Sequence, residues 1–388
     1  MVCGSKKTTV RGIKSDGPAA RERHTLFEAA VLEMANVVPA RWSKTVAHRH
    51  EFSSVKRVRF PMIHFPRILA LSLAVSTAAT ALAKDFLPAV VYDFGGKFDR
   101  SFNQSASEGA ERFKKDTGIA FREFEISNAT QREQVMAQLA KRGATIIVAV
   151  GFTQASAVEK VAKQFPSVKF VIIDAVVDLP NVQSINFREQ ESSFLCGMAA
   201  AMASKTGKIG FVGGMDIPLI RKFAVGYVEG ARYVNPQIEV FQNMTGTTPA
   251  AWGDPTKGAE LAKSQFGRGA DVVFHAAGAT GLGVMQAAKD ANRLSIGCDS
   301  NQDYLHPGSV LTSAVKRVDV AVYKAFVDAK AGKWKAGQLV LGLAEGGVDY
   351  SYDENNRAIL TPEMKHRLDQ AKAEIISGKL KVTEYKAR

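Results

Sequence analysis

From Pro88 onward the chain alternates short runs rich in β-branched residues with longer runs whose apolar positions recur at helical spacing, and this alternation leaves few architectures open. The first of the short runs is Pro88–Asp93 (PAVVYD), followed by a Gly-rich turn and then a run with its apolar positions spaced for one helix face. Short strands alternating with longer helices make a parallel sheet with helices on either side. The first unit contains strands at Pro88–Asp93, Phe121–Ile126, Thr145–Val150, Lys169–Asp174 and Val182–Asn186, with helices at Ser105–Lys115, Gln131–Arg142 and Ala155–Phe165. A second unit starts at Lys208–Val212 and continues through Ile238–Asn243, Asp271–His275 and Ser295–Cys298. The fold class is therefore α/β, with two doubly wound Rossmann-like lobes joined by a hinge.

Leu311–Val315, followed by a helix at Asp319–Ala331, is expected to return the chain to the first lobe, and Gln338–Leu343 to make the last crossing. The expected division is 84–205 plus 312–343 for the first lobe and 206–311 plus 344–388 for the second. No Pro-rich or Ser-rich linker interrupts the sequence, so short crossovers serve as the hinge.

Charge separates the amino end from the rest. Residues 1–83 hold 13 basic and 5 acidic side chains, which is +8 of the chain's +13 and leaves only +5 on the part with a core pattern. A basic nucleic-acid-binding face is not required. Ile68–Ala83 is uncharged, follows Arg67 and ends in Ala81-Leu82-Ala83, the pattern of a secretory signal at residues 62–83 cleaved after Ala83. It is short for a membrane span. Residues 1–61 have no sustained periodicity and are read as a non-structured or mis-assigned extension, with Met62 as an alternative initiator. The implied location is the periplasm. Cys196 and Cys298 lie in apolar runs and are read as buried thiols rather than a disulfide.

Open parallel sheets bind ligands beyond the carboxyl ends of their strands. Asp93 ends the first strand and opens the turn Phe94–Asn103. Asp174 ends the strand Lys169–Asp174, Gly278 and Gly281 follow Asp271–His275, Asp299 ends Ser295–Cys298, and Lys316 follows Leu311–Val315. Each has a plainer reading: an Asp at a strand end often caps the next helix, Phe98 and Phe102 have the spacing of core residues on a helix, and Trp252 also fits a loop anchor. Three aspartates at equivalent strand ends favour the ligand reading. The Gly-rich Ala276–Gly283 lacks the Lys-Ser/Thr ending of a phosphate loop and the first-strand position of a dinucleotide fingerprint. Its glycines more plainly admit close backbone approach. His275, His306 and His366 lack metal-ligand spacing, and no Gly-x-Ser-x-Gly elbow is present. The chain is read as a binder with no cofactor and no enzymatic activity.

Six segments, in order, carry a resemblance: Tyr92–Gln104 (YDFGGKFDRSFNQ), the Asp174 strand end, Trp252–Gly258 (WGDPTKG), Ala276–Gly281 (AAGATG), Gly297–Gln302 (GCDSNQ) and Ser313–Arg317 (SAVKR). Together they resemble the basic membrane protein family of ABC-importer receptors, whose best understood member is a purine nucleoside receptor, over essentially all of residues 86–388. The resemblance implies a type I periplasmic-binding fold, an ABC permease as partner and a purine nucleoside held between the lobes; a monomer is expected. By motif match Phe102 and Trp252 would sandwich the purine and Asn103 and Asp174 would bond its edge. Asp299, Lys316 and the Gly278 backbone would hold the ribose. Asp93 is carried over as a first-strand ligand contact, and Phe98 completes the ligand-binding set. The family more often carries Phe or Tyr where Trp252 stands, and many members are lipoproteins, whereas no Cys follows the apolar segment here. Competing readings are a receptor for a free nucleobase, a sugar or another small polar solute, a nucleoside hydrolase, and a transcriptional regulator of the same lobe architecture. The last is disfavoured by the export signal and the missing helix-turn-helix.

Overall fold

The apolar runs become strands with almost no exposed surface. The computed structural model describes residues 85–387. The proposed signal segment, its cleavage point, residues 1–61 and Cys3 lie outside the described residues.

In the first sheet β1 (Pro88–Tyr92), β2 (Arg122–Glu125), β3 (Ile146–Ala149), β4 (Lys169–Ile173) and β5 (Val182–Phe187) alternate with α1 (Phe102–Thr117), α2 (Gln131–Lys141) and α3 (Ala155–Gln164). After α4 (Glu189–Ala203) the second sheet begins with β6 (Lys208–Met215), α5 (Pro218–Val234), β7 (Glu239–Gly246), α6 (Pro255–Gly267) and β8 (Val272–Ala276). It continues with α7 (Thr280–Asp290), β9 (Leu294–Asp299) and β10 (Val310–Lys316). The chain ends with α8 (Val318–Lys330), β11 (Gly337–Leu341), β12 (Val348–Tyr350) and α9 (Pro362–Ile376). The sheet orders are β11-β5-β4-β3-β1-β2 and β12-β10-β9-β8-β6-β7. All pairings are parallel except β10 with β12. Central β1 and β3 are buried at every position, while the edge strand β2 is exposed at every position.

Two expected lobe boundaries move. Leu311–Val315 does not return the chain to the first lobe: it lies within β10, paired in parallel with β9 in the second sheet. Its apolar residues fill a slot between β9 and β12, where both faces are covered. The return comes one element later, through α8, which packs on α1 before β11 joins β5. Helix α4, assigned by sequence to the first lobe, packs on α5, α9 and β10. A Cβ on Gly197 would stand 2.0 Å from the Tyr227 carbonyl oxygen and one on Gly230 1.9 Å from that of Phe194, so only glycines allow α4 and α5 to approach this closely. Within the described residues the chain therefore crosses between sheets three times, at residues 187–189, 316–318 and 341–348. The two described cysteines are free and buried, as expected.

His275 on β8 is fully buried, and burial pushes its pKa from the ordinary 6.5 down to about 4. Protonation then favours the unfolded chain, so this contribution is complete above the unfolded pKa and is lost as the pH falls toward 4. Between pH 7 and pH 4, the stability of the wild type should drop relative to His275→Leu by about 3 kcal/mol, from a depression of that size. Urea unfolding of both proteins across this range checks it, because the other titrating groups cancel in the difference. Parallel curves would show that His275 is solvated.

Candidate functional site

The carboxyl ends of both sheets face a cleft that encloses about 600 Å³, part of it open to solvent. Its lining takes Asp93, Phe94, Asp99, Phe102 and Asn103 from the loop after β1 and the start of α1, Gly151 and Phe152 from beyond β3, and Asp174 from beyond β4. The second lobe contributes Leu219, Ile220 and Phe223 of α5, Trp252, Ala276, Gly278, Cys298, Asp299 and Lys316. Eight of the nine residues singled out in the sequence are thus brought together. Phe98 is not: its side chain is 73% exposed on the loop outside the cleft, with Lys97 Nζ 5.4 Å from its ring. The neighbouring Asp99 takes the inward place because its carboxylate accepts the backbone N–H groups of Ser101, Asn103 and Gln104 and so caps α1. Burial pushes the Asp99 carboxyl up to about 6 even with those bonds.

Asp174 and Asp299 occupy equivalent positions, just past β4 and at the end of β9, and both adopt left-handed backbone conformations, φ 67° and 64°. Such a conformation is uncommon for a residue with a side chain, though Asp tolerates it better than most. Lys316, at the end of β10, reaches across from the second lobe. Its Nζ lies 2.7 Å from Asp174 Oδ2 and 3.1 Å from Glu189 Oε1, and all three side chains are at most 4% exposed. The rings of Phe187, Phe102 and Phe223 surround the same ammonium with centroids at 5.0, 5.1 and 5.9 Å. Burial alone would lower the Lys316 pKa, but Asp174, Glu189 and Asp299 outweigh it, so the ammonium stays charged. Burial raises the Asp174 carboxyl above the ordinary carboxylate range, and Lys316 offsets this only in part.

The hydrogen bonds separate groups already engaged from groups that are free. Asn103 Nδ2 donates to Asp99 Oδ2 and Phe94 O, and Oδ1 accepts from the Asp93 N–H, so this amide holds the turn together. Asp93 is similarly engaged: Oδ1 accepts from the Phe94 N–H and Arg132, and Oδ2 from the Thr153 hydroxyl. A Cβ on Gly151 would lie 2.5 Å from Asp93 Oδ2, so a glycine there, at φ 105°, lets the two loops meet. Asp299 Oδ2 accepts from Ser101 Oγ at 2.6 Å, a bond between lobes that Gln302 Nε2 to Arg100 O at 2.8 Å reinforces. Asp174 Oδ1 is buried and has no hydrogen-bond partner among the described residues. The cleft therefore combines aromatic walls with a buried cluster in which carboxylates outnumber the cation, an arrangement that takes a flat ligand bearing hydrogen-bond donors.

Residues 86–386 match the family described as ABC transporter substrate-binding protein PnrA-like, named Bmp. The chain belongs to the Bmp family. A Bmp relative from Lactococcus lactis, an ABC transporter nucleoside-binding protein BmpA, is 36% identical over 321 residues, covering 77% of this chain and 89% of its own. Basic membrane protein D of Borreliella burgdorferi is 36% identical over 267 residues, 66% of this chain and 76% of its own. A crystal structure of an ABC transporter solute-binding protein from Aeropyrum pernix K1 superposes with a TM-score of 0.72 at 31% identity, covering 78% of this chain and 95% of that one. As a Bmp protein the chain is a non-enzymatic substrate-binding component of an ABC transporter, with the periplasmic-binding fold that the resemblance implied.

The cleft also contains residues that the sequence reading passed over. Phe94 and Phe152 stand next to Asp93 and Gly151 at strand ends, so the strand-end rule, applied to aromatics as well as carboxylates, would have found them. Phe223 of α5 also lines the cleft, and Glu189, which does not line it, reaches the same ammonium from α4; both do so only through packing, which periodicity does not reveal.

Proposed function

We propose that this Bmp protein is the soluble, monomeric periplasmic receptor of an ABC importer, released by cleavage after Ala83, and that it binds a purine nucleoside between its lobes. The observation that carries the reading is the buried cluster in which Lys316 of the second lobe meets Asp174 of the first beneath aromatic walls. A free carboxylate oxygen and an ammonium within one pocket match the donors and acceptors of a ribose or a purine edge, while aromatic faces match the base. The L. lactis relative, named as nucleoside-binding, supports the same class. In this reading Phe102 and Trp252 cover the base, Asp299, Lys316 and the Gly278 N–H hold the sugar, and Asp174 offers its free oxygen to a ligand N–H or O–H. Asn103 and Asp93 act by fixing the turn that carries Phe102. The ligand adds contacts to both lobes and so stabilises the closed state, which the permease reads.

Mass spectrometry of ligand released from protein purified without added solute, followed by calorimetric titration with inosine, guanosine and adenosine, tests the reading. A released sugar, or no heat with any nucleoside, would sink it. Trp252 packs against Gly214, where a Cβ would lie 2.0 Å from the indole, and against Gly278, so it is held rigidly in the cleft. Trp252→Ala should weaken nucleoside binding by about 1–3 kcal/mol with the fold intact. Unchanged affinity in the calorimeter would make Trp252 a loop anchor only.

A further inference from the structure

Glu189 is the first residue of α4, directly after the first crossover between the lobes, and its side chain has no exposed surface. Neither carboxylate oxygen makes a hydrogen bond among the described residues. What faces it is two ammonium groups, Lys316 Nζ at 3.1 Å from Oε1 and Lys222 Nζ at 3.6 Å from Oε2. Lys222 Nζ also lies 3.4 Å from the Phe187 carbonyl oxygen at the end of β5 and 3.3 Å from Glu384 in the C-terminal tail, so it is itself anchored. Lys316 closes β10, at the second crossover.

We propose that Glu189 is the positioning residue for the ligand-contacting Lys316 ammonium and ties it to the lobe crossovers. This rests on the reading of Lys316 as a nucleoside contact. With Asp174 as its only partner, the ammonium would be drawn toward the first lobe along one direction. Glu189 adds a second carboxylate, from α4, and the two carboxylates together fix the position of the nitrogen while leaving an N–H for the ligand. A buried carboxylate stripped of its cation is strongly unfavourable, so the contact is kept as the lobes move. Any shift of Lys316 on ligand entry is thereby transmitted to residues 187–189 and 316–318, where the chain passes between sheets.

Glu189→Gln keeps the shape and removes the charge. Its affinity for inosine should fall about tenfold or more, the value of a charged hydrogen bond misplaced, while that for hypoxanthine falls less than about threefold. Glu189→Asp, which retains the charge one methylene away, should recover part of the loss, and it carries the comparison if the Gln variant does not fold. A second readout needs no ligand: a held ammonium gives a resolved Lys316 Nζ signal in ¹⁵N NMR of the wild type, and Glu189→Gln should broaden it away. A retained signal with wild-type inosine affinity overturns the proposal, as does an equal loss for inosine and hypoxanthine, which a merely structural role would produce. If the wild type binds no nucleoside, the functional reading fails, and the NMR comparison alone decides whether Glu189 holds Lys316.

Discussion

Lys316→Met should cost about 3–5 kcal/mol at neutral pH, taken either as lowered stability or as opening of the lobes, and should abolish nucleoside binding. The substitution keeps most of the side-chain volume, so no large cavity is left. What it removes is the cation facing Asp174 and Glu189, which are buried at 4% and 0% side-chain exposure, and among the described residues Asp174 has no other ion-pair partner. Lys222 at 3.6 Å still faces Glu189, so Asp174 bears most of the loss. A carboxylate left alone in the interior takes up a proton. Its folded-state pKa then lies above the unfolded one, which means that the deficit is full at high pH and shrinks as the pH falls below that raised value. Denaturant unfolding and small-angle scattering at pH 5 and pH 7.5 check both forms of the cost. A variant as stable, as closed and as competent as the wild type at pH 7.5 would show that Lys316 is dispensable and that the cluster is solvated.

Much of the fold was legible because a parallel sheet writes itself as apolar runs. The span Lys169–Asp174 becomes β4 at Lys169–Ile173, and Thr145–Val150 becomes β3 at Ile146–Ala149. A run of buried residues specifies coverage on both faces, however, and not the identity of the neighbouring strand. For that reason β10 could be found but not placed, and α4 was given to the lobe before it. Strand β12 has three residues, too few to show any period. The cleft was legible to the extent that strand ends define it. Asp93, Asp174, Gly278, Asp299 and Lys316 all line it. The contact of Lys316 with Asp174 spans 142 residues of sequence, and the role of Asn103 depends on three loop partners, so neither was visible before the chain was folded. Phe98 failed for a local reason: of two adjacent residues only one can face inward, and the helix cap requires Asp99.

The ribose assignment makes the other large prediction: inosine should bind at least about a hundredfold more tightly than hypoxanthine, since two charged hydrogen bonds contribute roughly 1.5–3 kcal/mol each. A site built for hydroxyl groups leaves buried polar atoms unpaired when the sugar is absent, which costs more than the lost apolar contact. The backbone decides which variant tests this cleanly. Asp299 has φ 64°, a conformation that alanine adopts only with strain, so Asp299→Ala would mix a backbone effect with the chemical one. Asparagine tolerates the left-handed region and can still accept from Ser101 Oγ, so Asp299→Asn removes little besides the charge. In this variant the preference for inosine should contract by about tenfold or more, because a neutral amide oxygen is the weaker acceptor and its NH₂ opposes a hydroxyl donor. Affinity for hypoxanthine should stay nearly constant, since the proposed site holds the base by Phe102 and Trp252 and not by Asp299. Calorimetric titration of both proteins with both ligands gives the four affinities needed. Equal wild-type affinities for inosine and hypoxanthine would remove the ribose from this end of the cleft and make the protein a nucleobase receptor. A parallel loss of both ligands in Asp299→Asn would instead assign Asp299 to lobe closure through Ser101.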